Sequence, residues 1–187
     1  MQRAKTSPIV PGNPHEAARI QMRALETARL LLRRFTVDDA PFILEQLNEP
    51  SWHRFIGDKG VHTLDDARKY LRDGPLAMYE RTGAGLLLVT LKDGGVPMGM
   101  CGLIKRDALE DTDIGFALLP AFWGQGYALE AATAVLRYGR EVLGLRRIVA
   151  ITSPDNVRSI ALLERIGLRF ERGVRLAGAD EEISLYA

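Results

Sequence analysis

Residues 113–131 read DIGFALLPAFWGQGYALEA. An apolar run from Ile114 to Leu119 has the character of a buried strand, and it stops at Pro120. A tight turn, Trp123-Gly124-Gln125-Gly126, follows, and a helical pattern opens straight out of it. The first N–H groups of a helix lack intrahelical partners and carry partial positive charge, so such a turn can cradle a phosphate. Gly124 and Gly126 bring no side chain that would hold a pyrophosphate off. A plain left-handed turn entering a helix is the alternative reading of the same residues.

Downstream, Leu129, Ala132, Val135, Leu136, Val142 and Leu143 keep helical spacing, and Gly144 closes that helix. Residues 148–151 form a continuous apolar run, as in a strand buried on both faces. A right-handed crossover sets it parallel to the strand before the turn. Ser153-Pro154-Asp155-Asn156 leads into a short helix ending at Gly167. Residues 169–175 and 182–186 read as a closing hairpin around Ala177-Gly178-Ala179-Asp180.

Upstream, residues 29–35 read as a strand. Thr36 offers an N-cap and Asp39 a capping-box partner for a helix through Leu47, with Pro41 tolerated in its first turn. Residues 49–62 read as a loop, and Thr63 caps a second helix that Gly74-Pro75 should stop. Residues 86–91 and 98–106 pair across Asp93-Gly94-Gly95, and a third antiparallel strand spans residues 112–119. Residues 1–24 read as an extension, irregular at first, with a short helix permitted over residues 15–26; residues 25–187 read as one domain.

The pair WGQGYALEA and NVRSIALLERIGLRF resembles the two signature segments of the GNAT superfamily of acyl-CoA-dependent N-acyltransferases. The opening TARLLLRRFTVDDA is similar to the first strand and helix of the branch containing ribosomal-protein N-terminal acetyltransferases. The resemblance covers roughly residues 26–187 and rests on the order of the segments as much as on any one of them. It implies an α/β (α+β) fold: a mixed, mostly antiparallel sheet of about seven strands with helices on both faces, in the order βααβββαβαββ. It implies an N-acetyltransferase using acetyl-CoA, with direct attack by a primary amine, a protein N-terminus or a small amine. A non-catalytic CoA-binding sensor on the same fold is the alternative from another class. A nicotinamide enzyme would need a third glycine and an early parallel strand, and both are missing.

With 187 residues the chain suits one domain with a sizeable core. Lys+Arg 25 against Asp+Glu 24 gives a formal charge of +1, too little to recruit nucleic acid or membrane in general. Residues 1–34 are richer in Arg and Lys than in Glu, as in a basic arm for an RNA-rich partner or a solvated tail with strand-edge arginines. The single cysteine, Cys101, sits in an apolar run as a small core residue and fits a reducing compartment. No apolar run approaches the roughly 20 residues of a membrane span, and a secretory signal is not evident, so a cytoplasmic monomer or homodimer without direct nucleic-acid contacts is expected.

Acyl transfer needs a gripped CoA, a polarised carbonyl, a neutral amine and a stabilised thiolate. The resemblance assigns the grip to Trp123, Gly124, Gln125, Gly126, Tyr127 and Ala128. Trp123 stands where the wider family has Arg or Gln, as in the ribosomal-protein branch. It assigns the pantetheine arm and the carbonyl to the backbone of Phe116, Ala117 and Leu118, on a strand that splays from its neighbour. Asn156 is an N-cap alone or also a pantetheine ligand, and Ser159 a first-turn residue or one that orients the thiol. The family's usual Tyr acid is replaced by Leu163.

For the base, strand alternation groups Asp113 with Gly115 and Ala117 on one face, which suggests an open, wet surface. Asp113 is the candidate base; a strand-end carboxylate paired with a nearby Arg is the alternative. Glu130, in the first helical turn, reads as a helix-dipole residue. Trp52 and His53 lie in the segment through which the family admits substrate, Trp52 as substrate wall or core anchor. His15, His53 and His62 show no metal-ligand spacing with one another or with Cys101, so no metal is expected.

Overall fold

The computed structural model describes residues 24–176 and 182–187. Among the described residues eight strands form one sheet: β1 (Ala24–Glu26), β2 (Leu30–Arg34), β3 (Leu86–Leu91), β4 (Pro97–Ile104), β5 (Thr112–Leu118), β6 (Ile148–Thr152), β7 (Phe170–Val174) and β8 (Ile183–Tyr186). Their spatial order is β1-β2-β3-β4-β5-β6-β8-β7. Only β5 and β6 run parallel; every other neighbouring pair is antiparallel. The helices are α1 (Ala40–Leu47), α2 (Pro50–Phe55), α3 (Leu64–Leu71), α4 (Ala77–Thr82), α5 (Tyr127–Glu141) and α6 (Val157–Arg165).

Strand alternation gives the sheet two apolar faces. One buries Leu30, Leu32, Leu87 and Val89 under Ala131, Ala132, Val135 and Leu136 of α5. The opposite face sets Leu88 and Met100 against Ile43 and Leu47 of α1, Trp52 of α2 and Leu71 of α3. Cys101 is fully buried in the first core, as a small hydrophobe.

Local capping chemistry works as its residues dictate. Asp39 accepts from the Thr36 N–H at 2.8 Å, and Thr63 Oγ1 accepts from the Asp66 N–H at 3.1 Å. Three expectations are corrected. Residues 24–26 form an edge strand rather than the end of a helix, because Ala24 and Leu25 pair with Arg33 and Leu32 of β2. The eight strands of the sheet agree with the mixed, mostly antiparallel sheet of about seven that was expected.

Residues 50–55 are helical rather than looped: Pro50 opens α2, and the Glu49 carboxylate accepts from the Ser51 N–H at 3.1 Å. Gly74-Pro75 does not stop the second helix. A π-helical turn over Arg72–Leu76 carries the chain into α4, and its wider register absorbs the missing Pro75 N–H. The irregular and helical expectations for residues 1–23 and the turn at residues 177–180 lie outside the described residues.

Candidate active site

β5 and β6 pair only at Thr112↔Ile148 and Asp113↔Val149, and beyond that point they have no ladder contact. On its other side β5 stays bonded to β4 as far as Leu119, whose N–H donates to the Met98 carbonyl at 2.8 Å. Antiparallel alternation then turns the main-chain groups of Ile114, Phe116 and Leu118 toward β6. Past Asp113 those of Phe116 face the gap. The Leu118 carbonyl accepts the Trp123 indole N–H at 2.7 Å, which ties the following turn to the strand end.

A cavity of about 900 Å³ occupies this gap. At one end lie Trp123, Gly124, Gly126, Tyr127 and Ala128, with Asn156 and Ser159 of the α6 start; Phe116, Ala117 and Leu118 also line it. Gly124 and Gly126 have φ of +74° and +81°, a region costly for residues with a Cβ. Gly126 is the N-cap of α5 and supplies no side chain to its first N–H groups. An anion there meets bare backbone donors.

The turn is braced from β2's approach. Arg29 donates through Nη1 to the Gln125 carbonyl at 3.0 Å and through Nε to Glu130 at 2.7 Å, and its guanidinium lies 4.3 Å from the Tyr127 ring centre. Thr27 Oγ1 and the Arg29 N–H also donate to Glu130. Glu130 is therefore a cross-link as well as a dipole-favoured residue. Burial pushes its carboxyl up, but these donors outweigh that and hold it below the usual carboxylate range.

A depressed pKa contributes stability above the unfolded value that is lost as pH falls through the native one. Glu130→Gln should lower stability by about 1 kcal/mol at pH 7. In acid titrations followed by circular dichroism, the difference from wild type should disappear as the pH falls below the carboxyl's ordinary 4.5 and through its depressed native value. A difference that persists at acid pH would contradict this assignment.

Asn156 Oδ1 accepts the Ser159 N–H at 3.1 Å and caps α6; its Nδ2 has no partner among the described residues. Ser159 lines the cavity, and so does Leu163, fully buried where the family's acid would stand. Arg158 stacks on Trp123, 4.7 Å from the ring centre, a contact no local sequence signal announces.

The other end of the cavity lies on the sheet face away from α5. Trp52 is buried there, and its indole N–H has no partner among the described residues. His53 is exposed on α2 and does not line the cavity. Gln46, missed in the sequence, is 2% exposed and donates its amide N–H to the Ala117 carbonyl at 2.8 Å, leaving Oε1 buried and unpartnered. A glutamine among the apolar positions of α1 was the available signal.

Asp113 lines the same end, but its face is not the open, wet surface expected. The side chain is 1% exposed, and both oxygens accept from Arg106 Nε at 3.0 and 3.1 Å, the ion-paired arrangement left open above. Burial pushes its carboxyl up, against the opposing pull of the Arg106 guanidinium. Among the described residues no cluster of three or more His, Cys, Asp or Glu could hold a metal, and no helix is long and apolar enough to cross a membrane.

The family profile for the acetyltransferase (GNAT) domain matches residues 29–169. The chain belongs to the GNAT acetyltransferase family. It is 30% identical over 147 residues to YnaD of Bacillus subtilis, named as an uncharacterized N-acetyltransferase, covering 79% of this chain and 83% of the relative. The solved acetyltransferase of Agrobacterium tumefaciens superposes with a TM-score of 0.74 at 26% identity, covering 99% of this chain and 98% of that one. RimL, a ribosomal L7/L12 alpha-N-protein acetyltransferase solved with coenzyme A, shares the fold with a TM-score of 0.75 at 18% identity over 88% of this chain and 96% of its own. This GNAT chain is thus an acyl-CoA-dependent acyltransferase.

Proposed function

We propose that the protein transfers an acetyl group from acetyl-CoA to a primary amine, by direct attack in a ternary complex. The observation that carries this reading is the early divergence of β5 from β6, which opens a cavity with a glycine turn at one end and a separate chamber at the other. Acetyl-CoA supplies the acyl group as a thioester. The amides at Gly124–Ala128 would hold its pyrophosphate, and the main chain of Phe116 and the Leu118 N–H the arm and carbonyl; Ala117, whose main chain faces β4 and whose carbonyl is bonded to Gln46, would only line the cavity. Asn156 Nδ2 would donate to the arm, and Ser159 would orient the sulfur. The amine nitrogen bonds to the carbonyl carbon, the C–S bond breaks, Asp113 takes the nitrogen's proton directly or through water, and CoA leaves as the thiol after taking a proton from solvent.

Direct attack is favoured because Cys101 is fully buried and burial pushes its thiol far up, so it cannot serve as an acyl carrier. Initial rates at several fixed amine concentrations should give intersecting double-reciprocal lines; parallel lines would overturn direct attack. Leu163 favours a second reading, a CoA-binding protein without turnover, since the usual acid is absent. A protein N-terminus and a small amine are both acceptors of the required chemistry.

Asn156→Ala should cost about 1 kcal/mol as a lost cap. If Nδ2 also binds the arm, acetyl-CoA affinity should drop as well, read by calorimetry. Unchanged affinity with reduced stability would restrict Asn156 to capping.

A further inference from the structure

The acceptor chamber has a definite polarity. Arg106 spends its Nε on Asp113, and neither terminal nitrogen has a partner among the described residues. Its side chain is 40% exposed and lines the cavity. Asp113, almost fully buried, fixes this guanidinium in place, so its remaining donors are pre-oriented. A guanidinium edge offering parallel N–H groups matches a carboxylate.

Two residues of the same cavity wall carry a covered polar atom without a partner among the described residues: the Trp52 indole N–H, a donor, and Gln46 Oε1, an acceptor. Because Gln46 Nε2 is bonded to the Ala117 carbonyl, Oε1 sits beside the middle of β5, next to the backbone assigned to the thioester.

The charges point the same way. The cavity's charged residues are Lys59, Arg106, Arg158 and Arg165 against Glu49 and Asp113. Glu49 accepts from the Ser51 N–H and hydroxyl, and Asp113 is paired with Arg106, so among the described residues cations outnumber acids along this wall. The same wall carries the apolar side chains of Phe55, Ile56, Pro75, Met78 and Leu86, with the hydroxyls of Ser51 and Tyr70.

We infer that the acceptor is an amino acid with an apolar side chain: its carboxylate on the free edge of Arg106, its amine beside Asp113 toward the β5–β6 gap, and its side chain against α2 and the π-helical turn. This rests on the acetyl-transfer reading and narrows its substrate.

The test is thiol release at saturating acetyl-CoA with L-methionine, L-leucine and L-phenylalanine, each beside its amide and its decarboxylated amine. A polyamine, an aminoglycoside and peptides with free N-termini complete the panel. Each amino acid should exceed its neutral counterparts at least tenfold in kcat/KM. Arg106→Lys keeps a cation beside Asp113 and removes the fork. It should raise KM for the amino acids at least tenfold and affect the decarboxylated amines far less.

Equal use of neutral counterparts, preference for peptides or polyamines, or an equal loss for every acceptor in Arg106→Lys would each overturn the inference. Release with polyamines or peptides alone overturns the inference but not acetyl transfer. No release with any amine overturns both. If Arg106→Lys loses its thermal shift with acetyl-CoA, the matched wild-type pairs decide alone.

Discussion

Replacing Gly126 by valine is expected to abolish the stabilisation that acetyl-CoA gives the native protein. A ligand that binds only the native state at 100 times its dissociation constant contributes about 2.7 kcal/mol. For a chain of this length that is a rise in Tm of roughly 5–10 °C. Gly126 has φ of +81°, and a Cβ there would stand 3.4 Å from Arg29 Nη2, on the turn whose amides face the cavity. Valine would fill the space beside those donors and strain the backbone by about 1–2 kcal/mol.

The apo variant should therefore melt lower, and the decisive quantity is the shift on adding acetyl-CoA. Gly144→Val is the control. Gly144 also has positive φ, +66°, with no heavy atom near its Cβ position, and it lies outside the cavity wall. It should lose stability and keep the shift. A full acetyl-CoA shift in folded Gly126→Val would remove the pyrophosphate assignment.

The second large effect is expected at Asp113. Asp113→Asn keeps the shape and removes the charge. Base assistance contributes about 10²–10⁴-fold, so turnover should fall at least about tenfold with acetyl-CoA affinity near wild type. Burial raises this carboxyl from its ordinary 3.8. The low-pH limb of the wild-type kcat/KM profile should accordingly lie above the ordinary carboxyl range, with activity lost as the pH falls and the base is protonated. That limb should vanish in the variant.

The stability sign is the reverse of Glu130's. A carboxyl raised in the native state contributes stability that is present below its unfolded pKa and lost as pH rises through the native one. Removing the buried charge therefore gives back some desolvation energy at neutral pH, and the half-exposed Arg106 can turn to water. Turnover should suffer more than stability. An unaltered rate and pH profile in Asp113→Asn would leave Asp113 as an anchor for Arg106.

What was legible in the sequence was local. The stretch from Ile114 to Glu141 carried its own strand, turn and helix signals, because positive φ at Gly124 and Gly126 and the 3.6-residue spacing of α5 are written in neighbouring residues. The Thr36–Asp39 and Thr63–Asp66 boxes and the Asn156 cap were legible for the same reason.

What escaped depends on partners distant in the chain. The π-helical turn keeps helix going through Gly74-Pro75, against their local breaking tendency, and both residues line the cavity. Edge strand β1 exists only because β2 lies beside it. Gln46 finds its carbonyl 71 positions away, and Glu130 its arginine 101 positions away. Asp113 could be assigned to a face by alternation, but whether that face was wet depended on Arg106 folding over it.

The most direct measurement is a thiol-release assay with acetyl-CoA across small amines, amino acids and peptides, with mass spectrometry of the acceptor. Saturable release, matched mole for mole by an acetylated amine, is the result this account predicts. Acetyl-CoA that binds and stabilises the protein, yet releases no thiol with any amine, would contradict it and leave a CoA-binding protein without turnover.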